Sequence, residues 1–283
     1  MREPFNSMDL VFCGATLFDS SLEHKIAAAA AGGFRGITCW VHDYLGARER
    51  GISDAAMRRM LDDAGVRVAG IDCLLDWLPG EQAPDVAAFR STEDELYRVA
   101  DALGGEFINV AQAFSAEIDI AEASDVFAAI CERAATRQLA ATLEFIPWAG
   151  IRTLSIANRI VAGGAMSNAR VAIDAWHFFR GGSTFEELRA TPAARLANIQ
   201  LNDGPAKPWP NIVDEASDRL LPGQGGLPIH KLVDELRGIG FAGPWGIEAP
   251  ALRWKDTTAV ETGRECGAAM RELLCLENAG SKS

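Results

Sequence analysis

Short apolar, β-branched runs alternate with longer amphipathic, Ala-rich segments along the whole chain. The runs are Leu10 to Cys13 (LVFC), Gly36 to Trp40 (GITCW), Val66 to Ile71 (VRVAGI), Phe107 to Val110 (FINV), Ala141 to Ile146 (ATLEFI), Val171 to Asp174 (VAID), Asn198 to Leu201 (NIQL) and Trp245 to Glu248 (WGIE). Strand-length runs separated by helix-length segments are the signature of βαβ units on a parallel sheet. The intervening patterns include SSLEHKIAAAAAGG, where Ser20 or Ser21 suits an N-cap and Gly32 and Gly33 suit a stop. DAAMRRMLDDAG, TEDELYRVADALGG, EASDVFAAICERAATRQ and PIHKLVDELRGIG continue the series, and most of these helices end in Gly before the next strand. Eight units at even spacing, with no linker or low-complexity tract between them, predict an α/β protein. Its expected form is a single (β/α)8 TIM barrel over residues 1–283. A doubly wound open sheet is the alternative, but no G-x-G-x-x-G follows the first strand, where a dinucleotide site needs it.

Composition narrows the class of partner. With 283 residues, 48% of them hydrophobic, the chain can bury a large core. Neither a basic and apolar leader nor an apolar run of roughly 20 residues is present, so a soluble, cytoplasmic protein is expected. The cysteines, Cys13, Cys39, Cys73, Cys131, Cys266 and Cys275, form no C-x-x-C pair and read as reduced thiols. A formal net charge of −12 repels nucleic acid and anionic membrane, which leaves a small neutral or modestly charged substrate as the expected partner. Self-association into a homo-oligomer stays open.

The chemistry is expected at the C-terminal ends of the strands, where a (β/α)8 barrel carries its active site. Glu144, Asp174, Gln200 and Glu248 stand at the ends of strands five to eight. Singly, an acid after a strand is commonly no more than the N-cap of the next helix. Together, three carboxylates in one barrel mouth repel one another unless a cation holds them. An all-oxygen set of Glu144, Asp174, Glu248 and the amide carbonyl of Gln200 favours one hard divalent ion, Mg2+ or Mn2+, over zinc. His177, about one turn beyond Asp174, suits hydrogen bonding to a substrate oxygen or proton transfer, with a structural histidine as the plain alternative. Glu144 and Glu248, the candidate catalytic carboxylates, are assigned to the metal, with one of them also moving the proton. The loop after strand seven is long and carries Lys207, Trp209 and Arg219, so Arg219 is a candidate clamp on substrate. A surface pair with Asp218 or Glu215 is its plain alternative. Trp148, Trp176 and Trp209, with Trp40, follow strand ends and suit an apolar substrate face; His42 and Asp72 are weaker candidates.

The motifs LEF, DAWHFFRGG, IQLND, RLLPGQGGLP and GPWGIEAP, in that order, resemble those of the sugar phosphate isomerase/epimerase family of xylose-isomerase-like TIM barrels, over essentially the whole chain. The resemblance implies a divalent cation held by Glu, Asp, His and Glu on strands five to eight. It also implies removal of a proton next to a carbonyl, leading to isomerisation or epimerisation of a keto-sugar or keto-polyol. Gln200 departs from the His of that pattern. The departure is similar to 3-dehydroshikimate dehydratases of the same fold, which also carry a His at the place of His177, so a lyase that eliminates a β-hydroxyl is the rival reading. A metal-containing binding protein without catalysis is the third, and the hydrolytic endonuclease branch is disfavoured by the negative charge and the few histidines.

Overall fold

The computed structural model describes residues 3–79, 90–113 and 117–276. Its strands are β1 (Leu10–Phe12), β2 (Gly36–Trp40), β3 (Arg67–Leu74), β4 (Phe107–Ala111), β5 (Ala140–Glu144), β6 (Ala169–Asp174), β7 (Leu196–Leu201) and β8 (Trp245–Ile247). They pair in chain order, and β1 pairs in parallel with β8 to close the ring. Every expected strand forms; β2 keeps its expected bounds and the others shift at one end or both. The apolar residues Phe145 and Ile146 lie beyond β5, and β3 runs on through Asp72 to Leu74 because Asp72 pairs with Trp40 of β2 and Leu74 with Val110 of β4. A reading that stops strands at charges ends β3 too early.

Alternate strand residues face the barrel axis. At the N-terminal end Phe5, Val11, Ala69 and Phe107 pack into an apolar floor. Gly70 is required there, since a Cβ at that position would run into the Phe107 ring. Nearer the C-terminal end the layer turns polar. Thr38 Oγ1 lies 3.4 Å and Gln200 Nε2 3.6 Å from Cys13 Sγ, and Thr142 Oγ1 donates to Asn109 Oδ1 at 2.7 Å. This polar layer is the base of the site.

Helices follow from their caps. Ser21 accepts from His24 N to start α1 (Leu22–Gly32), which ends at Gly33 with φ of 73°. Lys25 of α1 reaches Asp43 of α2 (Val41–Glu49), Nζ to Oδ1 2.7 Å, and the Phe18 carbonyl at 3.0 Å; neither charged side chain is exposed beyond 1%. Asp43 Oδ2 also accepts from Trp40 N at 3.0 Å, so this ion pair ties α1 and α2 to the end of β2.

The C-terminal helix α11 (Ala259–Leu274) lies on α1, and the crossing is set by small residues. A Cβ on Gly263 would overlap the carbonyl of Ala28, and one on Gly267 the carbonyl of Gly32. Overpacking of this kind costs about 1–3 kcal/mol, so Gly267→Ala is expected to lower stability by that amount. At Gly238, the last residue of α10 (Ile229–Gly238), an added Cβ meets nothing within 4 Å, and Gly238→Ala is expected to be neutral or to gain about 0.4–1 kcal/mol. Denaturant midpoints of the two variants against wild type check both signs. Among the described residues no helix is long and apolar enough to cross a membrane.

Candidate active site

A cavity of about 1060 Å³ opens at the C-terminal ends of the strands, with Asp72, Glu144, Trp148, His177, Arg219 and Glu248 in its lining. Glu144, His177 and Glu248 line it beside the Arg219 guanidinium, whereas Asp174, paired with Arg219, and Gln200 are buried outside the lining. Asp174 Oδ1 accepts from His177 N at 2.8 Å, which caps α7 (Ala175–Arg180); its Oδ2 accepts from Arg219 Nη1 at 2.6 Å and Asn202 Nδ2 at 2.7 Å. The capping role and the role in the site therefore coexist in one side chain. Glu248 Oε1 is 3.9 Å from the same Arg219 Nη1, and its Oε2 accepts from the Cys13 thiol at 3.1 Å. Glu144 Oε2 accepts from Asn109 Nδ2 at 2.6 Å, while its Oε1 lies 3.1 Å from His177 Nδ1. Arg219 Nη2 stands 3.1 Å from His177 Nε2. A guanidinium only donates, so Nε2 accepts and the ring proton sits on Nδ1, on the side of Glu144.

The electrostatics follow from this packing. Burial, reinforced by Glu144, Asp174 and Asp72 and opposed by Arg219, raises the Glu248 carboxyl to about 8. Asp174 is equally buried, yet Arg219 and His177 hold it below the ordinary carboxylate value. Burial first, and then the Glu248 charge, raise Cys13 well above a normal thiol, which keeps it the protonated donor to Glu248. Arg219 is 5% exposed, and its partner is Asp174. The surface pairing with Asp218 or Glu215 does not occur. Glu215 instead accepts from Trp176 Nε1, Arg180 Nε and Trp209 N at 2.8, 2.6 and 2.6 Å, fastening the long loop from below.

Gln200 is the clearest sign of a missing partner. Its Oε1 is buried and has no hydrogen-bond partner among the described residues. Three carboxylates and an orphaned amide oxygen are hard donors that fit a divalent cation, with Arg219 supplying positive charge at the same place. Among the described residues no three His, Cys, Asp or Glu side chains are already drawn together as a metal cage, since Asp174 is engaged by Arg219 and Asn202. Neither neighbour of Gln200 in the IQLND motif can replace it. Asn202 donates to Asp174 and to the Glu248 carbonyl and accepts from Trp176 N. Asp203 accepts the backbone N–H groups of Gly204, Gly223, Gly225 and Leu227 at 2.8–3.1 Å, which is how it holds the LPGQGG turn.

The tryptophans divide. Trp148 and Trp40 line the cavity. Trp176 has 0% exposure and packs behind His177, and Trp209, 41% exposed, lies on the loop outside the cavity lining. The expectation that these two face a substrate is corrected: the Glu215 hydrogen bond draws the Trp176 ring inward, and the same carboxylate fixes the backbone of Trp209. Lys207 and His42 are also outside the lining. Of the groups not anticipated from the sequence, Cys13 directly follows β1, and Thr38 and Asn109 are polar residues inside apolar runs, each two residues before the end of its strand. That two-residue phase was the available signal.

Residues 26–270 match the family described as xylose isomerase-like TIM barrel. A protein of Streptomyces coelicolor provisionally named hydroxypyruvate isomerase is 25% identical over 251 residues, 80% of this chain and 85% of its own. The inosose isomerase of Bacillus velezensis is 29% identical over 122 residues, 42% of this chain and 43% of its own. Among solved structures, IolI with a bound zinc atom superimposes with a TM-score of 0.81 at 19% identity, covering 96% of this chain and 100% of that one, a likeness of fold.

Proposed function

The chain belongs to the xylose isomerase-like TIM barrel family, and on that premise we propose that it is a divalent-metal-dependent isomerase or epimerase of a keto-sugar or keto-polyol. The observation that carries this reading is the buried, unpartnered Oε1 of Gln200 among Glu144, Asp174 and Glu248 at the ends of four consecutive strands. These four residues would hold the ion, Mg2+ or Mn2+ by donor hardness; zinc is bound in the IolI structure, whose fold this chain shares. When bound, the ion polarises a carbonyl oxygen and acidifies the adjacent C–H.

The protein's own groups supply proton transfer. Glu144 and Glu248 flank the cavity as the pair that takes a proton from the carbon next to the ketone and returns it to the neighbouring carbon or the opposite face. Without metal, burial and the neighbouring carboxylates raise the Glu248 carboxyl to about 8; a bound cation would lower it and favour the carboxylate that accepts a proton. His177, held through Nε2 by Arg219, has its Nδ1 3.1 Å from Glu144 Oε1 but without a hydrogen-bond partner among the described residues, which leaves that proton for a substrate oxygen. Trp40 and Trp148 exclude water from one wall. Gln200 with His177 also supports elimination of a β-hydroxyl, the dehydratase reading.

The test is solvent exchange. Chelator-treated protein is incubated in D2O with inosose, ketohexoses, hydroxypyruvate and 3-dehydroshikimate, with and without Mg2+ or Mn2+. Deuterium is expected next to the carbonyl of one ketone only when metal is added, together with a metal-dependent rise in unfolding temperature. Growth of ultraviolet absorbance from a conjugated product would favour elimination. No metal-dependent stabilisation at millimolar ion and no exchange would overturn the assignment.

A further inference from the structure

We propose that Asp72 selects the substrate: its free carboxyl oxygen receives hydroxyl groups of a neutral polyhydroxy ketone and disfavours ketones that carry a carboxylate or phosphate. The inference deepens the preceding reading and rests on it.

Asp72 stands on β3, across the eight-strand ring from Gln200 of β7. It is 2% exposed and lines the cavity. Thr38 of β2 and Asn109 of β4, on the strands to either side, oppose the effect of burial on the carboxyl. Asn109 donates to Glu144 at 2.6 Å, and Asp72, Asn109 and Glu144 all line the cavity. Yet Asp72 Oδ2 is buried without a hydrogen-bond partner, and Asp72 has no ion pair among the described residues. A buried acceptor left unmet is costly, and groups in that state usually find a donor in solvent or ligand. A structural carboxylate would have its partner within the fold, as Asp43, Asp174 and Asp203 do here. The donor for Asp72 has to come through the cavity, and a sugar or cyclitol hydroxyl is the group in a keto-polyol that supplies one.

The charge of the cavity points the same way. Asp19, Asp72, Glu144 and Glu248 line it, against Arg219 and Lys255. Arg219 is already bound to Asp174, and Lys255 is exposed, outside the buried strand-end layer. The sequences 80–89 and 114–116 contain no Lys, Arg or His. A substrate carboxylate placed beside Asp72 therefore meets like charge and no free guanidinium of the kind that receives such groups. Burial raises the Asp72 carboxyl to about 7, so at pH 8 it is chiefly the anion.

The experiment compares wild type, Asp72→Asn and Asp72→Ala at pH 8 in saturating Mn2+. Calorimetry gives the dissociation constants of inosose and D-fructose, as neutral probes, and of hydroxypyruvate and 3-dehydroshikimate, as anionic ones. Wild type is expected to bind a neutral probe more tightly than either anion. Asp72→Asn should weaken the neutral probe by about tenfold or more, the size of a lost charge-assisted hydrogen bond, acting on KM more than on kcat, while the anions bind equally well or better. Mn2+ affinity and unfolding temperature should hold in both variants, which separates this role from the metal site. An unchanged neutral-to-anion ratio in Asp72→Asn, or a wild type that prefers the anions or takes no neutral ketone, overturns the proposal. Loss of Mn2+ binding by wild type itself would instead overturn the reading on which it rests.

Discussion

Glu144→Gln and Glu248→Gln are each expected to lower turnover by about 10²–10⁴-fold, the usual contribution of a positioned proton-transfer group, with the barrel intact. The two residues close or follow the edges of β5 and β8, above the apolar floor, and the packing that stabilises the ring does not pass through their carboxyl oxygens. Gln keeps the shape and one acceptor, so Asn109 retains a partner at position 144 and the Cys13 thiol one at position 248. Glu144→Gln removes a neighbour that pushes Glu248 up, and Glu248→Gln replaces a carboxyl that, raised to about 8, is chiefly neutral at pH 7 without metal. Thermal stability without metal is therefore expected to hold or rise, and the stabilisation that metal confers is expected to shrink. Steady-state rates on whichever ketone exchanges deuterium, with denaturation curves of the same preparations, test the pair. Near wild-type turnover would remove these carboxylates from the proton path. Unfolding of both variants would make them structural.

The largest expected loss of stability lies away from the chemistry, at Lys25. Removing one member of a buried ion pair leaves the other charged in a low-dielectric interior, at a cost of about 3–5 kcal/mol. Lys25→Met removes the Nζ contacts to Asp43 Oδ1 and to the Phe18 carbonyl, leaving Asp43 with the Trp40 N–H and with His42 Nε2 at 3.5 Å. Lys25→Met combined with Asp43→Asn should recover much of the loss, because Asn keeps an acceptor for Trp40 N and carries no charge. Since Phe18 and Trp40 line the cavity, the single variant is also expected to bind substrate less well, and the double variant to regain part of that binding. Urea denaturation of the three proteins checks the sign and the recovery. A loss below about 1 kcal/mol for Lys25→Met would show that water reaches this pair.

Much of this was legible in the order of residues. Strand-length apolar runs with Gly-terminated helices between them are dictated locally, by backbone preference and burial, and they specified the barrel. The acids at the ends of β5, β6 and β8 were legible because a carboxylate has no place in an apolar run unless the strand opens onto a site. Other features depended on distance in space. That Arg219 pairs with Asp174, 45 residues earlier in the chain, follows only from how the loop after β7 folds back. Trp176 and Trp209 were misjudged for the same reason: a Trp after a strand has two directions available, and a single buried Glu215 decided both. Asp72 looked like the end of a strand because charge reads as a terminus. In the structure the strand continues through it, since pairing with β2 and β4 sets the length of β3.

The seam where β1 meets β8 gives the ring a kinetic as well as a geometric meaning. Cys13 and Glu248 touch across it although 235 residues separate them in the chain, and α11 must seat its glycines on α1 at the same junction. A contact of that span forms late, because the loop it closes contains nearly the whole polypeptide. Until it forms, β1 and β8 each present an unsatisfied edge to other chains, and Glu248 stands apart from Cys13. Assembly of the candidate site and removal of the sticky edges are thus one event. A molecule arrested just short of it would be inactive and prone to aggregate, even with most of its helices already formed.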